Sequence, residues 1–119
     1  MAGIYEAALE AFGNGQIQWL SDNVVAHLVN GYTPDFEAHA TLSEVPAEAI
    51  LSSTPLEQRT NRRGYLGAAE AVFSTAPMGS YGGVLVTADG KLVAYLEAPG
   101  SSMGGPVRVR WDERGIVRL

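Results

Sequence analysis

The chain of 119 residues contains no cysteine. That excludes a disulfide framework, a thiolate metal site and a cysteine nucleophile. No apolar run approaches the ~20 residues that a membrane-spanning helix needs. Basic residues are missing from the first half. Residues 1–58 carry eight carboxylates and no Lys or Arg, and the first base is Arg59. The second half holds eight bases against five acids, and the formal net charge is −5. An acidic balance argues against bulk nucleic-acid binding, which draws its affinity from Lys and Arg neutralising phosphates. The opening Met1-Ala2-Gly3-Ile4-Tyr5-Glu6 lacks the basic and apolar regions of a signal peptide, so synthesis in the cytoplasm is expected. What is present suits a folded chain: 46% hydrophobic and 18% charged residues, long enough for one domain over residues 1–119 with a modest core.

Tyr5, Ala8, Leu9 and Phe12 have the spacing of one apolar helix face and predict a helix over 3–12. Gly13-Asn14-Gly15 stops it. Gln16-Ile17-Gln18-Trp19 alternates with period two and reads as strand, and Ser21-Asp22-Asn23 as a turn. Val24 to Val29 is β-branched and apolar on both faces, which predicts a central strand. Thr33 as N-cap before Pro34 opens a helical turn through His39. Thr41-Leu42-Ser43-Glu44 is a capping box, with Pro46 blocking extension.

Strands are expected over 47–52, 56–60, 64–69 and 71–74, with Arg62-Arg63-Gly64 as an exposed turn. The strongest hairpin joins Gly83–Thr87 to Leu92–Leu96 through Asp89-Gly90. Pro99 to Gly105 reads as a loop. Val107, Val109 and Trp111 alternate inward against Arg108 and Arg110, and Asp112-Glu113-Arg114-Gly115 turns. The fold class is mainly β: a small β-sandwich or barrel with a short N-terminal helix.

No residue set converges on chemistry. His27 could pair with Asp22 or His39 as metal ligands, but the spacing of a metal site is missing, and a strand histidine at a sheet surface is the expected role. Ser21, His27 and Asp22 hold the residue types of a triad without a nucleophile-elbow sequence. Gly100 to Gly105 lacks the Gly-Lys-Ser/Thr ending and the following helix of a phosphate loop. Trp19 and Trp111 occupy alternating positions that suit core anchors. No catalytic residue, metal or cofactor is therefore assigned, and the chain reads as a non-enzyme. Arg59, Arg62 and Arg63 form the one basic cluster, a candidate contact with an acidic protein surface. The acidic half of an identical subunit would serve, in a head-to-tail oligomer.

Three segments carry a resemblance: Ala11-Phe12-Gly13-Asn14-Gly15-Gln16-Ile17-Gln18-Trp19-Leu20-Ser21-Asp22, then Ala26 to Asp35 with Leu42-Ser43-Glu44-Val45-Pro46, and finally Val109-Arg110-Trp111-Asp112 with Gly115-Ile116-Val117-Arg118-Leu119. They resemble small tailed-bacteriophage virion proteins encoded near the major capsid protein, with N-G-x-I-x-W-L-x-D, Y-T-P-D and a closing W-D then R-L. Residues 47–80 depart from that pattern, so the arginine cluster is not carried over. The resemblance implies a virion structural protein on the capsid surface. Its expected role is capsid decoration: binding the major capsid protein and self-associating into a small homo-oligomer, a trimer before a dimer. It implies no catalytic residues, and the acidic balance and the lack of a long apolar run give no reason to expect a nucleic-acid or membrane partner. The alternative is a head-fibre or tail component that binds a host-surface glycan through Tyr32 or Tyr81.

Overall fold

Asp89-Gly90 sets the largest feature. Both residues take positive φ, 48° and 81°, in a two-residue hairpin turn whose twist matches the strands it joins. In the computed structural model, which describes residues 2–111 and 115–118, the turn connects β7 (Gly79–Ala88) to β8 (Lys91–Ser102). The same two arms pair again further out. β6 (Ala71–Phe73) runs antiparallel to β9 (Val107–Val109), with Phe73 opposite Val107. Between the two pairings, residues 74–78 and 103–106 form a corner, and the ribbon doubles back over itself there. Val109 and Trp111 consequently line a cavity of about 220 Å³ together with Val84 and Leu96, which are register partners on one face of the hairpin.

The hairpin's two outer edges each gain a strand. β2 (Val24–Val29) pairs with β7, and β3 (Ile50–Pro55) pairs with β2. On the other side β1 (Ala2–Ile4) pairs with β8. The five-stranded antiparallel sheet has the order β1-β8-β7-β2-β3. A three-stranded sheet joins β4 (Thr60–Arg62), β5 (Tyr65–Gly67) and β10 (Val117–Arg118) in the order β10-β5-β4. The helix α1 (Glu6–Gly13) packs against β8. The chain is mainly β with one short N-terminal helix, as expected. It takes the layered form rather than the closed one, because the main sheet keeps two edges.

The main sheet's two faces are covered differently. The face with Val84 and Leu96 meets β9, Trp111 and Ile116. The opposite face meets residues 30–49. There Tyr32 packs edge-on against Tyr95, with ring centroids 5.9 Å apart, and Phe36 lies over Gly3, the partner of Tyr95. This connection travels the length of the sheet. It bridges Thr41 to Lys91 at the hairpin end and returns so that the Asn30 N–H bonds the Ala49 carbonyl.

Several expectations need correction. Residues 2–4 are strand, because their backbone completes β8, so the helix starts at Glu6 with Tyr5 as its N-cap. The buried stripe is then Tyr5, Ala8 and Ala11, and Leu9 is exposed. Residues 16–19 are not strand: the Gln16 and Ile17 amides are consumed by the Ala11 carbonyl at the helix end. Asp35, not Thr33, caps the next turn, accepting from the Glu37 and Ala38 N–H groups.

Residues 47–49 form a single 3-10 turn before β3, and the following strand begins only at Thr60. Strand β8 continues to Ser102, through the expected loop, with the Tyr81 ring lying over Gly100. The capping box at Thr41–Glu44 is where it was expected, and the turn expected over Arg62–Gly64 narrows to Arg63-Gly64, because Arg62 pairs with Tyr65 at the end of β4. The expected turn at Asp112-Glu113-Arg114 lies outside the described residues.

Gly83 shows how tightly the hairpin closes. A Cβ there would stand 2.6 Å from the Leu96 carbonyl oxygen and 2.5 Å from the Tyr95 hydroxyl. Backbone cannot yield that distance cheaply. Gly83→Ala should therefore lose about 1–3 kcal/mol of stability, read as a lower urea midpoint with an unchanged denaturant slope.

Candidate functional site

Two polar clusters break the apolar interior, both on the face of the main sheet that carries Tyr95. The first is a chain of ring groups. The Tyr5 and Tyr32 hydroxyls are 2.7 Å apart, and the Tyr32 hydroxyl is 2.9 Å from His39 Nδ1. The Asp35 N–H also points at His39 Nδ1, at 3.3 Å, so that nitrogen accepts. Tyr32 therefore donates to His39, and Tyr5 donates to Tyr32. Burial pushes the Tyr5 phenol far above its ordinary value, and the bond it donates to Tyr32 adds to this. Burial also raises Tyr32, while the bond accepted from Tyr5 works the other way. Tyr32 is 8% exposed with its hydroxyl engaged on both sides. It cannot present a ring to a sugar, as the glycan alternative required. Tyr81 is half-buried over Gly100.

The second cluster centres on His27. Strand alternation places it on the face opposite Ala26 and Leu28. Its Nδ1 is 2.6 Å from the Ser53 hydroxyl on β3, and its Nε2 is 3.0 Å from the Thr87 hydroxyl on β7. His27 is only 6% exposed, so it is covered rather than lying at a sheet surface. Burial lowers its pKa from the ordinary 6.5. The residues proposed beside it from sequence are engaged elsewhere: Asp22 accepts from the Gln18 N–H, and His39 is bonded to Tyr32. Among the described residues no group of three His, Asp or Glu side chains could hold a metal ion. Ser53 and Thr87 were missed by sequence reading, since only strand register brings positions 27, 53 and 87 together.

The basic cluster does not converge to one patch. The Arg59 guanidinium donates to the Leu20 carbonyl at 3.2 Å. Arg62, on β4, lines an open cleft of about 460 Å³ with Gln58, Thr60, Glu70, Arg110 and Trp111. Arg63 sits in the hairpin turn with φ 56°. Arg62 and Arg63 are both exposed. Glu70 bonds Arg108 at 2.8 Å and Arg110 at 3.0 Å, and the two guanidinium groups hold its carboxyl below the usual range. Glu44 is held low as well, by the Ala40 and Thr41 N–H groups.

Both tryptophans anchor one segment, as core anchors would. The Trp19 indole N–H bonds the Gly67 carbonyl and that of Trp111 bonds Ala69. Charge divides by layer. The 30–49 connection contributes Asp35, Glu37, Glu44 and Glu48 on one side of the main sheet, with no Lys or Arg. The layer on the other side contributes Arg62, Arg63, Arg108 and Arg110, the last two sharing Glu70. Large apolar side chains stand out of the surface at Leu20 and at the ribbon corner, where Met78 is 74% and Met103 85% exposed.

Each polar cluster makes a prediction. His27 binds fewer protons folded than unfolded, so its contribution to stability is complete above pH 6.5 and is lost as the pH falls toward the lowered folded value. The pH slope of the urea midpoint below neutrality should shrink in His27→Gln. In the tyrosine chain, Tyr32→Phe leaves the buried Tyr5 donor without its acceptor and should cost about 1–3 kcal/mol. Tyr5→Phe leaves Tyr32 still donating to His39 and should cost about 1 kcal/mol. Thermal unfolding of the two variants should rank them in that order.

Comparison of this chain with protein-family models, with curated proteins and with solved structures finds no match.

Proposed function

We propose that this chain is a virion structural protein that decorates a tailed-bacteriophage capsid by binding its major capsid protein shell. The observation that carries the reading is the ribbon corner. Met78 and Met103 project from its two limbs into solvent. Flexible thioether side chains adapt to a partner surface, and methionine is enriched at protein interfaces. The corner includes Met103, Gly104 and Gly105. The resemblance of the N- and C-terminal segments supplies the class of partner. A small body of 40 × 28 × 22 Å suits a protein present in many copies. Each copy then adds a modest contact, and bridging between neighbouring shell subunits multiplies the effect.

Self-association fits the division of charge. The acidic connection of one copy faces the arginine-bearing layer of the next, and a closed ring follows when the rotation closes, with a trimer favoured. Arg62 and Arg63 are the contact residues on the basic side.

Purified chain should co-sediment with shells of the phage that encodes it. Met78→Ser with Met103→Ser should weaken that binding roughly ten-fold or more, the loss expected when anchor side chains are removed. Arg62→Glu with Arg63→Glu should weaken self-association in sedimentation experiments, and added salt should weaken it in the wild type. Failure of the wild-type chain to bind shells, with selective capture of a host-surface glycan, would replace decoration by the fibre or tail role.

A further inference from the structure

Ser53, His27 and Thr87 form a line across β3, β2 and β7. Ser53 Oγ is 2.6 Å from His27 Nδ1 and Thr87 Oγ1 is 3.0 Å from Nε2. In the tautomer that carries the ring proton on Nε2, that N–H donates to Thr87 and Nδ1 accepts from the Ser53 hydroxyl. A serine proton aimed at a basic ring nitrogen, with the ring oriented by a third group, is the arrangement that activates a hydroxyl as a nucleophile. Exposure divides in the sense this needs. His27 and Thr87 are 6% and 2% exposed, while Ser53 is open to solvent.

The backbone adds a donor. The Leu56 N–H bonds the Val24 carbonyl, so 24 and 56 are a hydrogen-bonded pair. Alternation then makes His27 and Ser53 a non-hydrogen-bonded pair, the closer kind for side chains. The Ser53 N–H accordingly points away from β2, off the outer edge of the sheet, where it can donate to a developing oxyanion.

We propose that Ser53 is an activated nucleophile that accepts an acyl group from small activated esters, with His27 as its general base and Thr87 as a positioning residue. Ser53 Oγ attacks the ester carbonyl carbon while its proton passes to His27 Nδ1. The tetrahedral intermediate collapses by breaking the bond to the leaving oxygen, which takes that proton from Nδ1. The products are an O-acyl ester on Ser53 and a free alcohol or phenol. Ser53 stands on an open strand edge, so the substrates are small, intrinsically reactive esters rather than ones gripped by a pocket.

The full chain treated with p-nitrophenyl acetate, followed by peptide mass mapping, tests this. Ser53 should be acetylated about ten-fold or more faster than the exposed Ser21, Ser43, Ser74 and Ser101 of the same molecule, the lower end of what a positioned base supplies. Ser53→Ala should remove the early release of nitrophenol. Thr87→Val should slow Ser53 labelling several-fold, and His27→Gln should bring it down to the rate of the other serines, in protein whose melting shows it folded. Labelling of Ser53 no faster than the other four serines overturns the proposal. That comparison is made within the wild-type molecule, so it stands whether or not a variant folds.

Discussion

The β7–β8 pairing supplies the edges on which every other large pairing is built. β2 adds to the free edge of β7, and β1 adds to the free edge of β8. β6 and β9 are the same two arms continued past the corner. The two-residue turn at Asp89-Gly90 starts the β7–β8 register, which then shifts between Val86 and Thr87 and again between Tyr81 and Gly83. Register also decides which side chains meet: slipping the hairpin by one residue would move Val84 and Val86 to the other face. It would at the same time draw Thr87 away from His27 and Tyr95 away from Tyr32. The apolar core and both polar clusters therefore depend on one alignment.

Much of this was legible in the sequence where a local signal coincided with a tertiary use. Asp89-Gly90 has few conformations that serve as well as the hairpin turn. Val24 to Val29 reads as central because it is apolar on both faces, and both faces are in fact covered. The capping box at Thr41–Glu44 is a purely local device, and it forms. The failures share one cause: a backbone group with a distant partner. Gly3 and Ile4 look helical until β8 lies beside them. Gln16 and Ile17 look like strand, but their amides close the end of α1. Gly100 looks like loop, yet the Tyr81 ring lies over it and the strand continues. The Ser53–His27–Thr87 line was illegible for the same reason, since its members meet only through the pairing of three strands.

The charge pattern gains a spatial meaning. In sequence it is a split near residue 59. In the fold it becomes two layers on opposite sides of one sheet, because the first half of the chain contributes the long connection and the second contributes the small sheets. The carboxylates of the acidic layer are partly spent on local structure: Asp35 and Glu44 cap turns. The arginines of the other layer are spent less uniformly. Arg108 and Arg110 share Glu70, Arg59 is tied to a carbonyl, and Arg62 and Arg63 stand at the surface.

The position of β1 has a consequence for how the sheet closes. Ala2 pairs with Leu96, so β1 has no edge to join until β8, far along the chain, is in place. Pairings this distant in sequence close slowly, because loop entropy is spent before contacts form. Tyr5, held beside the Val93 carbonyl through its own amide, must wait as well, and with it the tyrosine–histidine chain. Within the main sheet the β7–β8 hairpin therefore closes the shortest loop and β1 the longest, and the loop entropy of the fold is concentrated at β1.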